Sequence, residues 1–235
     1  AHQNPEDRAA AASVRGSNDA TPLHNVCKLS NPPQDIIQAL LEAAPETVMW
    51  PDSHGWLPLH HACANGACAG VLKILTDAYP EGKTRQDSQN RSPLHFYLTQ
   101  RSDTASAMAE NMDFLCNSGA AELPDVGGML PMHYACAYGV DPQVLKVLAD
   151  SYPESLMAKE NKGRTPMHLA MVNAHRNASP GVIKYLMDFG GPELVNIRDH
   201  DGFLPLHLLA LGVKGFKADE RDQRSNVAAC LQLYL

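Results

Sequence analysis

The chain has 235 residues, a formal net charge of -7 and a hydrophobic content of 44%, which is enough to form a core. It has no basic stripe of the kind that nucleic-acid binders carry. It also has no apolar run near the ~18–20 residues that span a bilayer. We therefore expect a folded protein that neither binds nucleic acid nor spans a membrane.

Residues 1–20 are a polar lead-in, in which the alanine run after Arg8 favours a helical turn. We interpret this segment as a degenerate cap. Residues 21–235 are predicted to form one repeat domain, since a regular period continues through them.

A motif of Pro, then Leu or Met, then His occurs six times from residue 21 onward. The repeats start near residues 21, 57, 92, 130, 165 and 204, and the motif prolines are 36, 35, 38, 35 and 39 residues apart. A period of this length indicates stacked repeats. The motif pairs are Pro22 and His24, Pro58 and His60, Pro93 and His95, Pro131 and His133, Pro166 and His168, and Pro205 and His207.

Each motif proline is predicted to open a short first helix, because Pro is favoured at the first helical position and Thr21, Ser92 or Thr165 can cap it. A second helix, rich in paired branched residues, follows and stops at a proline in four copies. That proline lies 13 residues before the next motif proline each time, as Pro45 does before Pro58. The third copy has Gly119 instead, which predicts a left-handed helix end.

The connector between repeats is predicted to be a tight turn. An acidic residue stands six before the motif proline, and Gly or Asn stands three before it. Gly or Asn at a fixed position favours a positive φ, and the acidic side chain can accept hydrogen bonds from turn amides. The acidic residues are Asp52, Asp87, Asp125, Glu160 and Asp199, and their partners are Gly55, Asn90, Gly128, Gly163 and Gly202.

Together these features resemble the ankyrin repeat, which has the signature T-P-L-H-x-A, a β-turn and two helices. The match is closest at residues 195–207, holds well at 163–170, and covers about residues 21–235. The period is longer than usual for the family, and Leu often replaces the motif Thr. The resemblance implies an all-α solenoid of helix-turn-helix units with β-turn or hairpin connectors. It also implies a non-catalytic protein that binds another protein through the hairpin tips and the concave face of the first helices.

The histidines and cysteines invite a metal or proton-relay interpretation, which the repeat geometry disfavours. Motif histidines in successive repeats lie too far apart to share a metal with bonds near ~2 Å. His60, His61, Cys63 and Cys68 are the candidates for a zinc site, but their spacing does not place them on one helix face. We expect no catalytic site, cofactor or metal, and we expect each motif histidine to bond a neighbouring backbone group or Thr hydroxyl.

The cysteines are interpreted as buried thiols rather than disulfides, because Cys27, Cys63 and Cys136 occupy one repeat position. This predicts a reducing compartment, the cytoplasm or nucleus. An organelle interior stays open, since the sequence begins at Ala1 and can be part of a longer chain.

Positions that differ between copies are the candidates for partner binding. At the hairpin tips, two before the motif proline, these are Trp56, Arg91, Met129, Arg164 and Phe203. Further candidates on the turns are His54, Gln89, Lys162 and His200, and those at the ends of the first helices are Asn65, Gln100, Tyr138 and Asn173. Trp and Arg are common interface hot spots. The alternative is that the tip residues pack on the next repeat.

Two other features have an ordinary and a functional interpretation. Asn196 matches the position where ankyrin repeats can be hydroxylated, and its ordinary role is to stabilise a turn. The cluster Glu220 to Arg224 is expected to be a solvated helix face. A second overall function, a module built permanently into a larger chain or complex, also stays open.

Overall fold

The computed structural model describes residues 4–100, 108, 111–112, 115–116, 118–174, 180–212, 228–229 and 231–233. Within them the chain forms α-helices, 3₁₀ turns and tight turns, and it has no strand. This confirms the predicted all-α class. None of the described helices has the length and apolar character needed to cross a membrane. The chain divides into two compact units, unit 1 (Ala1–Ser102) and unit 2 (Asp103–Leu235).

From α2 onward first and second helices alternate, as the repeat predicts, apart from the third copy, where most of the chain after α6 lies outside the described residues. In chain order they are α1 (Pro5–Ser13), α2 (Pro22–Cys27), α3 (Gln34–Ala43), α4 (Pro58–Ala64), α5 (Ala69–Ala78), α6 (Pro93–Tyr97), α7 (Pro131–Tyr138), α8 (Pro142–Ser151), α9 (Pro166–Asn173), α10 (Pro180–Gly190) and α11 (Pro205–Gly212). Each first helix begins at a motif proline, where the missing N–H costs no hydrogen bond.

Within each unit, like helices stack on like. In unit 1, α2 packs on α4 and α4 on α6, while α3 packs on α5. In unit 2, α7 packs on α9 and α9 on α11, while α8 packs on α10. The residue after the motif proline enters the core in both units, as Leu23, Leu94, Met132 and Met167 are fully buried.

The lead-in is more ordered than the single helical turn expected from the sequence. Helix α1 covers Pro5–Ser13 and packs on α2 and α3. After it, Asn18 has a φ of 59° and its carbonyl accepts a hydrogen bond from the Ser53 N–H at 2.9 Å. A turn of the repeat type therefore already precedes residue 21.

A 3₁₀ turn follows most second helices, which the sequence pattern did not reveal. These turns are Pro45–Met49, Pro80–Thr84, Pro153–Leu156 and Pro192–Asn196, and in the third copy Ala120–Glu122. Side-chain hydroxyls close two of them: Thr47 donates to the Ala44 carbonyl at 2.7 Å and Ser155 to the Tyr152 carbonyl at 2.6 Å. The predicted left-handed end at Gly119 is confirmed by its φ of 82°.

The connectors are tight turns with the predicted positive φ, as at Asn90 (56°) and Gly163 (75°). Gly163 is also required by close packing, since an added Cβ would lie 2.6 Å from His200 Cδ2. Neighbouring tips are joined by backbone bonds: Ser88 N–H donates to the His54 carbonyl (3.2 Å) and His200 N–H to the Lys162 carbonyl (2.9 Å). Each turn is thus held in place by the turn of the next repeat within its unit.

Candidate partner-binding surface

The motif histidine links each first helix to the next repeat. The Leu57 N–H donates to His60 Nδ1 at 3.0 Å, which fixes the proton on Nε2. Nε2 then donates to the Arg91 carbonyl at 3.2 Å. Burial lowers the His60 pKa from 6.5 to about 4, so the ring is neutral at pH 7 and keeps this tautomer.

Other motif histidines repeat this arrangement. His24 bonds the Trp56 carbonyl at 3.1 Å, His133 the Arg164 carbonyl at 3.2 Å, and His168 the Phe203 carbonyl at 3.2 Å. The Ser92 N–H donates to His95 Nδ1 at 3.1 Å. His207 accepts from the Leu204 N–H at 3.0 Å but is exposed. His24, His60, His133 and His168 thus connect successive repeats, which gives these rings a structural role.

The turn acids close the connectors through their first carboxylate oxygen. Asp52 Oδ1 accepts from the His54 and Trp56 amides at 2.9 and 3.0 Å. Asp87, Asp125, Glu160 and Asp199 bind the equivalent pairs of amides in their own turns. An acidic residue three positions before Gly or Asn therefore marks a turn that closes through hydrogen bonds to its own backbone amides.

Where the second carboxylate oxygen is hydrogen-bonded, its side-chain partner differs between repeats. Asp52 Oδ2 accepts from His61 Nε2 at 2.9 Å, and Asp125 Oδ2 accepts from the Tyr134 hydroxyl at 2.8 Å. His61 and Tyr134 both stand three residues after their motif proline. Tyr134 was not a candidate from the sequence, and His61 was considered only as a zinc ligand. The available signal was the separation of nine residues between acid and donor in both repeats.

Asp87 carries the densest of these networks. Its Oδ2 accepts from Trp56 Nε1 at 3.0 Å, and from Arg91 Nε and Nη2 at 3.1 and 2.8 Å. Burial raises the pKa of Asp87, but the hydrogen bonds from Arg91 and Gln89 outweigh it and hold the pKa below the ordinary value. The carboxylate thus remains ionised and joins two repeats.

Trp56 is part of this inter-repeat packing. Its ring centroid lies 4.2 Å from that of Phe96 and 4.8 Å from that of His61. The Arg91 guanidinium stands 4.5 Å over the Phe96 ring. Trp56 is half-buried with its only polar atom bonded, so the structure gives it the packing role that was the alternative for a tip residue.

The remaining candidates differ in exposure. The residues at the turns, His54, Gln89, Lys162 and His200, are exposed, and so are Tyr138 (50%) and Phe203 (37%). The half-buried candidates are Arg91, Met129, Arg164, Asn65 and Gln100. Two of these are bonded to the backbone of a first helix, since Asn65 donates to the His61 carbonyl at 2.8 Å and Gln100 to the Ala64 carbonyl.

Asn173 corrects the sequence interpretation. It was expected to be an exposed residue at the end of a first helix, but only 5% of it is exposed. It is the last residue of α9, and its side chain turns inward, whereas the preceding Val172 is 45% exposed. Within the described part of the chain, Asn173 Nδ2 is buried and has no hydrogen-bond partner.

The thiols and the proposed zinc candidates do not converge. Cys27, Cys63 and Cys136 are buried and Cys68 is exposed, and all are unpaired. Burial raises the pKa of Cys27 to about 12, so that thiol stays protonated. Among the residues that the structure describes, no three His, Cys, Asp or Glu side chains come together as metal ligands.

Three other features singled out in the sequence are Asn196, Cys230 and the cluster Glu220 to Arg224. Asn196 is exposed and ends a 3₁₀ turn. Cys230 and the cluster Glu220 to Arg224 lie outside the described residues.

The geometry so far defines a class: stacked helix pairs, histidine links and acid-closed turns are those of a repeat solenoid. A family model described as "Ankyrin repeat" matches residues 162–200. Its match includes the turn at Gly163 and the motif at Pro166. Residues 162–200 thus match an ankyrin repeat, and the other helix pairs and acid-closed turns of the chain repeat its pattern.

Similar proteins are found among characterised sequences. The chain is 29% identical over 186 residues to a probable 26S proteasome regulatory subunit p28 of Saccharomyces cerevisiae, covering 66% of this chain and 79% of that protein. It is 29% identical over 133 residues to transient receptor potential cation channel subfamily A member 1 of Homo sapiens and to ankyrin repeat domain-containing protein 53 of Mus musculus. Both matches cover 55% of this chain, but only 11% and 26% of those proteins.

Proposed function

We propose that this chain is a non-catalytic scaffold that binds another protein through its turns and first helices. Ankyrin-repeat proteins generally mediate protein–protein interaction. The observation that carries the proposal is the exposure of apolar side chains on the turn and first helices of unit 2, namely Tyr138, Val172 and Phe203. Exposed large apolar side chains are candidates for an interface, and these three lie on the elements that the proposal assigns to binding.

The rigid turns support this function. Tip residues sit on a backbone fixed by the turn acids and by bonds to the neighbouring tip. Because this surface is already ordered, the chain loses little conformational entropy when a partner binds, and a few aromatic anchors suffice for binding.

The test is affinity capture of the tagged chain from its native cell, followed by mass spectrometry. The double variant Tyr138→Ala with Phe203→Ala should lose the captured partner. The matched control is Phe189→Ala, since Phe189 is 65% exposed but lies on the second helix α10. If the double variant keeps its partner while Phe189→Ala loses it, binding uses the second helices and the proposal is wrong.

A second candidate function is a subunit held permanently in a larger assembly. The similarity to a probable proteasome regulatory subunit over 79% of that protein favours it. A permanent subunit is expected to aggregate when purified alone and to be recovered intact only with its partner. A soluble, monodisperse chain on size-exclusion chromatography would argue for the transient scaffold.

We also propose a cytoplasmic or nuclear location. The unpaired thiols of Cys27, Cys63 and Cys136 are compatible with a reducing compartment. Imaging a fluorescent fusion of the native protein tests this, and a signal in a secretory organelle would contradict it.

A further inference from the structure

An open groove with a volume of about 440 Å³ lies between α1 and α3 in unit 1. Most of its lining is apolar, and these side chains are Ala11, Ala12, Ile36, Ala39, Leu40 and Ala43. Two charged residues also line it, Arg8 on α1 and Asp35 on α3. The groove belongs to unit 1, whereas Tyr138 and Phe203 of the proposed binding surface belong to unit 2.

The groove forms because α1 takes the place of a second helix but is rich in alanine. Helix α1 packs on α3 as α3 packs on α5. Helix α5 brings large side chains to the core, since Val71, Leu72 and Leu75 are buried. Helix α1 instead has alanine at all four positions from 9 to 12. An alanine side chain ends at Cβ, so it does not fill the space beside α3 to the density of a protein interior.

Ile36 is the large side chain that this groove leaves uncovered. It stands nine residues before the proline that follows its helix, as do Val71 in α5 and Val144 in α8. Val71 and Val144 are fully buried, whereas 45% of Ile36 is exposed. A position that is core in two other repeats is therefore surface in the first. Covering it is favourable, because apolar area is removed from water.

The charged residues around the groove are mostly acidic. Asp35 lines it, and Glu42 lies on the same face of α3, seven residues further on. Asp7 lies one turn before Ala11 on α1, and Arg8 is the one base among the described lining residues. In the described part of the chain, none of these four charged side chains forms an ion pair. Three acids and one base around an apolar groove attract a basic surface.

We propose that this groove docks a basic amphipathic helix of a partner protein. The apolar face of that helix, with anchors at positions i, i+3, i+4 and i+7, covers Ile36 and fills the space beside Ala11. Lys or Arg residues on its flanks face Asp35 and Glu42. This surface is additional to that of the proposed function, and it gives the chain a place for a second partner.

The walls of the groove favour a helix over an extended peptide. The backbone groups of α1 and α3 are bonded within their own helices, so an inserted strand would find no backbone partners there. A helix satisfies its backbone internally and presents a ridge of side chains to the groove. A second copy of this chain is a poor occupant, because it also carries a net charge of -7 and brings the same acids.

The experiment is a selection of helical peptides, displayed on phage, against the purified 235-residue chain. The peptides have about 18 residues, enough to form a helix in water, with Leu fixed at the anchor positions and the flanks randomised. We expect Lys and Arg to be enriched over Asp and Glu on the flanks. Fluorescence anisotropy of the best peptide should show weaker binding at high salt, because the flanking charges are exposed.

Two pairs of variants locate the bound peptide. Ala11→Leu fills the groove from within the chain and should weaken the peptide at least about tenfold. Its matched control is Ala10→Leu, at an exposed alanine of α1 that does not line the groove, and it should leave the affinity unchanged. Glu42→Lys should weaken binding about threefold, the size of one exposed ion pair. Asp150→Lys, at the equivalent exposed position of α8, should have no effect.

Three results would overturn the site: peptides with acidic or uncharged flanks, binding that is insensitive to Ala11→Leu, or failure to select any helix. Sedimentation analysis that shows a dimer broken by Ala11→Leu would make a second copy the occupant, and the proposal would be wrong. Failure here is distinct from failure of the proposed function. The double variant Tyr138→Ala with Phe203→Ala should leave peptide affinity unchanged, whatever it does to the native partner.

Discussion

The turns around Asp87 in unit 1 and Asp199 in unit 2 share one backbone design but differ in how their side chains are completed. Asp87 is bonded by Trp56 and Arg91, and the rings beside it are packed together. Asp199 faces Arg164 across a 3.7 Å gap, beside an exposed Phe203. The residues at two successive tips, which the repeat motif does not specify, thus decide how a turn aspartate is completed. With Trp56 and Arg91 the second oxygen of Asp87 is fully hydrogen-bonded, whereas with Arg164 and Phe203 that of Asp199 has no hydrogen bond among the described residues.

The largest expected effect separates these two aspartates. Asp87→Ala removes the acceptor of five N–H groups and leaves Arg91 without its ion pair. We expect it to reduce the free energy of unfolding by about 3–5 kcal/mol. Asp199→Ala removes two backbone hydrogen bonds and a longer ion pair with Arg164, at 3.7 Å, and should cost less, about 1–3 kcal/mol. Urea denaturation of both variants measures the difference, and equal losses would contradict the comparison.

Acid should destabilise the region around α4, which holds His60 and His61, more than the region around α9, which holds His168. Burial lowers the pKa of His24, His60 and His61 in unit 1 and of His168 in unit 2. Because the folded pKa is below the unfolded value of 6.5, the unfolded chain takes up protons first. Stability is complete above pH 6.5 and falls towards pH 4, by about 3 kcal/mol for His60 alone.

Amide hydrogen exchange at pH 7 and pH 5 checks this expectation. Protection should fall more in α4 than in α9 when the pH is lowered. A uniform loss, or a greater loss in α9, would show that the histidine links do not govern the acid response.

A smaller effect is expected when a filled turn is opened. Tyr134→Phe removes the hydroxyl that donates to Asp125 Oδ2, although Asp125 is half-buried and water can replace part of this bond. The expected cost is about 1 kcal/mol. Thermal unfolding measures it, with Tyr138→Phe as the control, because the Tyr138 side chain is exposed. Equal shifts in the two variants would mean that the hydroxyl bond is unimportant.

The smallest effect is expected for His61→Tyr. The chain itself uses Tyr at the equivalent position, where Tyr134 donates to its turn acid as His61 does. We expect a loss below about 1 kcal/mol, because the hydrogen bond to Asp52 is retained although the larger ring enters a buried site beside Trp56. A loss above that of Tyr134→Phe would show that the two repeats do not accept each other's donors.

The features that could be predicted from the sequence are those that depend only on residues within one repeat. Pro58 opens α4, and Asp52 with Gly55 closes a turn, because each depends on residues only a few positions apart. The histidine links could also be anticipated, since the motif returns at every period. The family and the helix order follow from these local signals.

The features that could not be predicted depend on contacts between repeats. Nothing local to Trp56 shows that its indole reaches Asp87 in the next repeat. The burial of Asn173 depends on where α9 ends and which way its last turn faces. The contact of Arg164 with Asp199 involves residues 35 positions apart and required the geometry of both turns.

The bond from His24, His60, His133 or His168 to the following repeat has a consequence for how such a chain changes over generations. Every complete repeat brings its own histidine and its own acceptor carbonyl. A duplicated or deleted repeat therefore arrives with both halves of the joint and needs no second mutation to be accommodated. Contacts such as that of Trp56 with Asp87 are not carried in this way, because they are lost when either neighbour is replaced. The histidine links are thus kept when a repeat is duplicated or deleted, while side-chain contacts between two particular repeats must evolve again at each new junction.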